Sequence, residues 1–238
     1  MIRLLSIIIP VFNEEGTIVT LLNRIFGATL TGDIGKEIII VNDGSTDRTA
    51  ELVREYMARH PDRMIHYCKH ETNQGKGAAI HTGIRMAGGD SIIIQDADLE
   101  YDPGDYDQLL KPVVNGFADV VYGSRFVGDK PHRILFFWHS VGNRWLTFLS
   151  NLFTNLNLTD MECGYKLFRT EILRKIHLRE RRFGFEPEVT AKMARIPGIR
   201  IYEVGISYHG RTYREGKKIT WIDGIRTVYL ILRYGIIR

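Results

Sequence analysis

Cysteine is almost absent: Cys68 and Cys163 are the two in 238 residues, too few for a disulfide framework or a cysteine-built structural zinc site. That scarcity predicts a reducing, cytoplasmic address. Long apolar runs are missing as well. The first, residues 4–13, contains Pro10 and leads into Glu14 and Glu15, and the longest uncharged run, residues 145–159, is studded with Asn, Ser and Thr. Neither matches a secretory leader or the roughly 20 apolar residues of a bilayer-spanning helix, so no segment is expected to cross a membrane. Charge of one sign does not dominate either. Lys and Arg number 32 against 28 Asp and Glu, a net +4 with a pI near 9.0, which suits a nucleotide, a nucleic acid or a membrane surface and selects none of them.

What is present is an ordinary globular composition, 44% hydrophobic and 25% charged, which excludes collagen-like, low-complexity and wholly disordered chains. The length suits one domain with an extension, large enough to bury roughly 70% of its unfolded surface. Over the first 125 residues one phrase recurs: a short apolar run, a polar or glycine-bearing turn and an amphipathic stretch. Residues 4–9, 37–41, 64–68, 91–95 and 119–122 read as strands, and the unbroken Ile and Val of the second and fourth predict burial on both faces, as in a parallel sheet. Ile18, Leu21, Leu22, Ile25 and Phe26 fall on one helical face, and Leu52, Val53, Tyr56 and Met57 repeat the pattern, with Ser45 or Thr46 as N-cap of that second helix. The alternation predicts an α/β doubly wound sheet whose ligands lie outside the carboxyl ends of its strands.

After Arg125 the rhythm changes. Residues 131–158 carry Phe136, Phe137, Trp138, Trp145, Phe148, Leu149, Leu152 and Phe153 at helical spacing; a helix over 186–195 and a strand over 199–207 follow. Residues 221–234 read as a basic amphipathic helix, with Arg226, Arg233 and Arg238, and Lys217 and Lys218 before it, around Ile225, Tyr229, Leu232 and Ile236. That pattern suits an anionic lipid interface. The aromatic segment reads equally as core or as membrane-facing. Residues 1–210 therefore form the expected main domain and 211–238 a C-terminal basic amphipathic segment.

Carboxylates gather where ligands of such a sheet lie: Glu14 after the first strand, Asp43 after the second, Asp96 and Asp98 after the fourth. Alternate residues leaving an extended strand point the same way, and two hard carboxylates suit Mg²⁺ or Mn²⁺ shared with substrate phosphates. Asn73-Gln74-Gly75-Lys76-Gly77 precedes a helix near Ala78, so backbone amides and the Lys76 ammonium can converge on a phosphate, although the spacing is not that of a P-loop. Asp43-Gly44-Ser45 and Gly123-Ser124-Arg125 end the second and fifth strands at the same edge.

These motifs, in order, resemble the family 2 glycosyltransferases of the GT-A fold: Ile8 to Glu15, Val41 to Asp47, Asn73 to Gly77, Asp96-Ala97-Asp98 and Gly123 to Arg125. Thr159 to Phe168, Phe185 to Glu188 and Tyr208 to Tyr213 resemble the branch making polyprenyl-phosphate sugars, such as the dolichyl-phosphate glucose and mannose synthases. The resemblance implies a Rossmann-like, mostly parallel sheet with helices on both faces and a C-terminal amphipathic appendage. It implies donor contacts from Pro10, Phe12, Glu14, Asp43, Lys76, Asp96 and Ala97, metal ligation by Asp96 and Asp98 with Glu100 as a further ligand, and phosphate-binding roles for Arg125 and Arg211. Asn42-Asp43 departs from the two acids that many relatives carry there.

The implied reaction is an inverting displacement that moves a hexose from a UDP- or GDP-sugar onto a polyprenyl phosphate at the cytoplasmic face of a membrane, with the protein bound peripherally. A lipid monophosphate, with a second pKa of about 6, needs no general base; it needs an arginine clamp, for which Arg125, Arg133 and Arg211 are available. A sugar-hydroxyl acceptor, the alternative for a soluble relative, requires a carboxylate base, with Asp160 or Glu162 as candidates. A nucleotidyltransferase would want a glycine-rich loop after the first strand, and residues 10–15 contain no glycine. The acids at the ligand edge oppose a nucleic-acid partner, which calls for a basic stripe.

Overall fold

The computed structural model describes residues 2–128, 130, 131, 133, 134, 136–211 and 221–236, and of residues 221 and 222 the backbone alone. Isoleucine layers organise the sheet. In β1 (Leu4–Val11) and β2 (Gly35–Asn42), Ile7, Ile8 and Ile9 lie beside Ile38, Ile39 and Ile40, and Ile7 and Ile8 pair on the other side with Ile93 and Ile94 of β4 (Ser91–Ile94). Successive side chains point to opposite faces. Ile7, Ile9, Ile38 and Ile40 therefore enter one core, while Ile8, Ile39 and Val41 enter another. The first core is closed by α1 (Ile18–Gly27), α2 (Thr49–Arg59) and α4 (Tyr106–Val114). The second is closed by α3 (Lys76–Met86), α5 (Phe137–Thr154), α7 (Phe185–Met193) and α8 (Trp221–Ile236).

With β3 (Ile65–Lys69), β5 (Val120–Ser124), β6 (Lys166–Arg169) and β7 (Ile201–Gly205), the sheet runs β3-β2-β1-β4-β6-β5-β7. Every pairing is parallel except those of β6, which runs antiparallel between β4 and β5. The doubly wound, mostly parallel sheet expected from the sequence is thus present, and β6 with the short α6 (Thr170–Leu173) that follows it are additions to that reading. The order reverses at β1 and β4, the switch point where ligands of open α/β sheets bind.

One local reading changes, and one left open narrows. The helix α2 starts at Thr49 with neither Ser45 nor Thr46 as its cap. Ser45 Oγ instead accepts the Asn13 N–H (3.0 Å), and the Thr46 N–H donates to Asn13 Oδ1 (2.9 Å), so both stitch the β1 and β2 turns together, while Asp47 Oδ1 accepts the Thr49 N–H (3.0 Å). The aromatic residues of α5 are largely solvent-facing, with Phe137 70% exposed, Trp138 77% and Phe148 64%, and Leu152 joins them at 66%. Thr147 and Ser150 form its buried side.

The last helix, α8, packs on α5 and α7 through Leu230, Ile231 and Tyr234, all buried. Fully burying side chains of this size contributes about 1.5–3 kcal/mol each. Its opposite side leaves Ile225, Tyr229 and Ile236 exposed. The flanking basic residues Lys217, Lys218 and Arg238 lie outside the described residues, as do Thr212 and Tyr213.

Candidate active site

A cleft of about 1060 Å³ opens over the carboxyl ends of β1, β2, β4 and β5. Pro10 and Phe12 at the end of β1, Glu14 in the turn after it and Asp43 after β2 line one end. Asp96, Ala97 and Asp98 after β4 line the middle, and Arg125 after β5 with Glu162 and Gly164 before β6 line the far side. Every site residue expected from the sequence borders this space except Asp160.

At the end of the cleft beyond β2, Asp43 ties two turns together. Its Oδ1 accepts the Gln74 N–H (3.0 Å) and lies 2.7 Å from His70 Nδ1, and its Oδ2 accepts the Gly75 N–H (2.7 Å). Gly75 caps α3 at φ +104°, a conformation open to glycine, and a Cβ there would lie 2.5 Å from the Arg181 carbonyl oxygen. The segment around Arg181 therefore lies directly over the turn that presents Lys76.

Lys76 Nζ, at the start of α3, reaches Asp96 Oδ1 at 2.8 Å and Glu186 Oε1 at 3.3 Å. Burial alone would lower its pKa, but Asp96 and Glu186 carry it above the usual value. Glu186 behaves reciprocally: burial pushes it up, yet Lys76 and Lys166 hold it below the ordinary carboxylate range. Asp98 is strained the other way. Burial, then Asp96 and Glu100, push its carboxyl up to about 7 against the pull of Arg211.

Leu99 turns the chain at φ +63°, and the Glu100 N–H donates to Asp98 Oδ1 (3.1 Å). Glu100 then accepts the Arg211 N–H (2.7 Å) and the Tyr208 hydroxyl (2.9 Å). The Arg211 guanidinium sits among Asp98 (3.2 Å), Glu14 (3.7 Å) and Glu100 (3.8 Å). Among the described residues no three His, Cys, Asp or Glu side chains form a ready-made metal cage. The crowding of Asp98 by Asp96 and Glu100 is the chemistry a cation would relieve, so the residues present fit a divalent ion completed by ligand oxygens.

Arg125 and Asp160 are engaged with each other. Arg125 Nε and Nη2 each donate to Asp160 at 2.7 Å, the Arg125 backbone N–H adds a third bond at 3.0 Å, and Asp160 is fully buried. Asp160 therefore sits behind the cleft wall, fixing Arg125, whose guanidinium lies over the Tyr208 ring at 5.2 Å.

Trp138, Asn143 and Arg144 of α5 and Asp223, Gly224 and Thr227 of α8 also line the cleft. No described helix is long and apolar enough to cross a membrane.

The glycosyl transferase family 2 model matches residues 6–177, well over half of the sequence. The chain belongs to that family. This family 2 chain is 31% identical to an undecaprenyl-phosphate mannosyltransferase of Micrococcus luteus, over 96% of its own length and 93% of the relative's. It is 28% identical to a UDP-N-acetylglucosamine–dolichyl-phosphate N-acetylglucosaminyltransferase of Methanococcus voltae, over 97% and 95%. A dodecaprenyl-phosphate galacturonate synthase of Rhizobium johnstonii is 29% identical over 90% of this chain, which spans only 61% of that relative. In fold, the glucosyl-3-phosphoglycerate synthase of Mycobacterium tuberculosis, solved with Mn²⁺, UDP and phosphoglyceric acid, superposes with a TM-score of 0.73 at 19% identity, covering 99% of this chain and 80% of that one. The architecture is GT-A.

Residue-level reading of the sequence gave no role to Glu186, Tyr101 or Tyr208. The Tyr101 hydroxyl accepts the Gly164 N–H (2.9 Å), and its ring packs against Tyr165 and Tyr208 at 4.7 and 5.4 Å between centroids. The Phe185-Glu186-Pro187-Glu188 and Tyr208-His209-Gly210-Arg211 motifs were the available signals; their partners come from elements 60 to 110 residues away.

Proposed function

We propose that this family 2 chain is an inverting glycosyltransferase that moves a hexose from a UDP- or GDP-sugar onto a polyprenyl phosphate at a membrane surface. The observation that carries the proposal is the cleft's lining: its acidic floor lies at the switch point, and its wall includes residues of α5 and α8, two helices that bear exposed apolar side chains. The relatives named for polyprenyl-phosphate acceptors support the same reading. A peripheral position on the cytoplasmic face goes with it, with residues 1–210 as the main catalytic unit, completed by Arg211, and the segment after it helping it dock.

In this reading Pro10, Phe12 and Glu14 hold the nucleoside. Asp43 sets the Gly75 turn so that Lys76 faces the donor, and Asp96 and Asp98 hold Mg²⁺ or Mn²⁺, with Glu100 bracing Arg211 beside them. A bound divalent ion would supply Lewis-acid stabilisation of the diphosphate leaving group. As the bond from the anomeric carbon to the diphosphate breaks, negative charge grows on the leaving oxygen, and Lys76 and Arg211 lie against the floor carboxylates to meet it. An ionised lipid phosphate attacks from the opposite face without a general base. Arg125, held by Asp160, faces that attack, and Arg133 lines the same wall.

Incubation with Mn²⁺ and labelled UDP- and GDP-hexoses, with and without polyprenyl phosphate, followed by partition into organic solvent, tests the proposal. Label entering the organic phase only when the lipid is present supports it. Transfer to a water-soluble hydroxyl acceptor with none to the lipid replaces it with the soluble alternative.

A further inference from the structure

Glu162 is left unused by the assignments above. It lies in the turn before β6, the strand beside β4, so along the sheet it comes next after the nucleoside end and the Asp96–Asp98 floor. A nucleotide sugar laid along that order places its hexose against this turn. Glu162 borders the cleft, yet its Oε1 is buried without a hydrogen-bond partner. An orphaned buried acceptor is costly, and the cost is relieved by a ligand that donates to it. The turn that presents it is rigid: the buried Lys166 ammonium donates to the carbonyls of Met161 (2.9 Å) and Cys163, one on each side of Glu162. Its electrostatic neighbours include a second acid, Glu186, which also borders the cleft.

We infer that Glu162 is a specificity-determining residue of the donor site, accepting a hydrogen bond from a hydroxyl of a neutral hexose and disfavouring a sugar that carries a carboxylate. The chemistry follows from what each sugar brings. A hexose hydroxyl supplies the missing donor. A uronate places a further negative charge beside Glu162 and Glu186, where burial already disfavours ionisation: burial first, then Glu186, pushes the Glu162 carboxyl up to about 7. Discrimination built on buried polar groups is larger than that from shape alone.

This inference rests on the nucleotide-sugar reading, and a binding measurement separates the two. Calorimetry with Mn²⁺ would compare UDP, UDP-glucose and UDP-glucuronate, and GDP, GDP-mannose and GDP-mannuronate, on the full chain and on Glu162→Gln. We expect the unmodified chain to bind the neutral sugar at least tenfold more tightly than the uronate. In Glu162→Gln the nucleoside diphosphate should bind unchanged while the ratio narrows to less than threefold, chiefly because uronate affinity rises, a gain that a merely loosened fold would not produce. An unchanged ratio in the variant, or a uronate preference in the unmodified chain, overturns the inference and leaves the nucleotide-sugar reading standing. Failure of every nucleotide sugar to bind overturns both.

Discussion

Arg125 and Asp160, 35 positions apart, meet in a two-pronged ion pair whose carboxylate is wholly buried and whose arginine borders the cleft. The pair joins the end of β5 to the loop before β6, so one contact ties the cleft wall to the approach of the antiparallel strand.

Removing one partner of such a pair leaves a charge without its counterpart, typically at a cost of 3–5 kcal/mol. Asp160→Asn should therefore lower stability by about 3 kcal/mol in urea melts. Arg125→Lys keeps the charge but cannot form the fork, and should reduce transfer at least tenfold. An unchanged rate in Arg125→Lys would leave Arg125 as a structural partner of Asp160 with no part in transfer.

Asp98→Ala should leave the fold intact, because it removes a carboxylate already crowded by Asp96 and Glu100. Transfer should fall by roughly 100-fold or more, the equivalent of about 3 kcal/mol of lost transition-state stabilisation. Chelation of divalent ions should have a comparable effect on the unmodified chain and little further effect on the variant. Full activity of the variant in chelator would remove the metal from the proposal.

Gly75→Ala combines a positive φ with a Cβ 2.5 Å from the Arg181 carbonyl oxygen. It should destabilise the protein by about 1–3 kcal/mol and weaken nucleotide binding at least fivefold, measured by melting and by calorimetry. A tight-binding, fully stable variant would mean that the Arg181 segment moves away without cost.

Glu162 also predicts a pH dependence. Its acid is pushed up in the folded state, so between the ordinary carboxylate range and about 7 the folded chain holds a proton that the unfolded chain has released, and stability falls as pH rises through that window. The groups acting on it are Glu186 and Asp160 on one side and Lys166 and Arg125 on the other. Glu162→Gln should therefore gain stability over the unmodified chain at pH 8 relative to pH 5, by on the order of 2 kcal/mol. Parallel melting curves for the two proteins across that range would discard the assignment.

Membrane docking is best tested by point substitution. Deleting α8 would uncover the core beneath Leu230, Ile231 and Tyr234. Trp138→Ser, Phe148→Ser and Tyr229→Ser together should abolish pelleting with anionic liposomes at low salt while leaving the melting temperature within a few degrees, since surface changes seldom exceed about 0.5 kcal/mol each. Unaltered pelleting would place the docking surface elsewhere.

Much of this was legible from the residues. Unbroken Ile and Val runs specified β2 and β4, because strands buried on both faces admit little else, and the carboxylates just beyond the strands marked the cleft. By contrast, β6 is four residues, Lys-Leu-Phe-Arg, with a lysine in its buried face. That lysine is tolerated through the carbonyls of Met161 and Cys163, a tertiary arrangement with no local signature. The aromatic stripe of α5 has the spacing of a core helix, and its outward orientation depends on which side α8 and the sheet leave uncovered. The partner of Arg125 was equally hidden, since nothing near it in sequence announces Asp160.

The lining of the cleft by α5 and α8 has a kinetic consequence under the proposed docking. With these helices laid on a lipid surface, an acceptor dissolved in it would reach the floor by sideways diffusion, its head sliding in while its tail stays among other tails. The relevant acceptor concentration is then a mole fraction within the surface, and the search is two-dimensional. Rates would follow how densely the lipid carrier populates that surface, and adding inert lipid at fixed carrier would slow turnover by dilution alone.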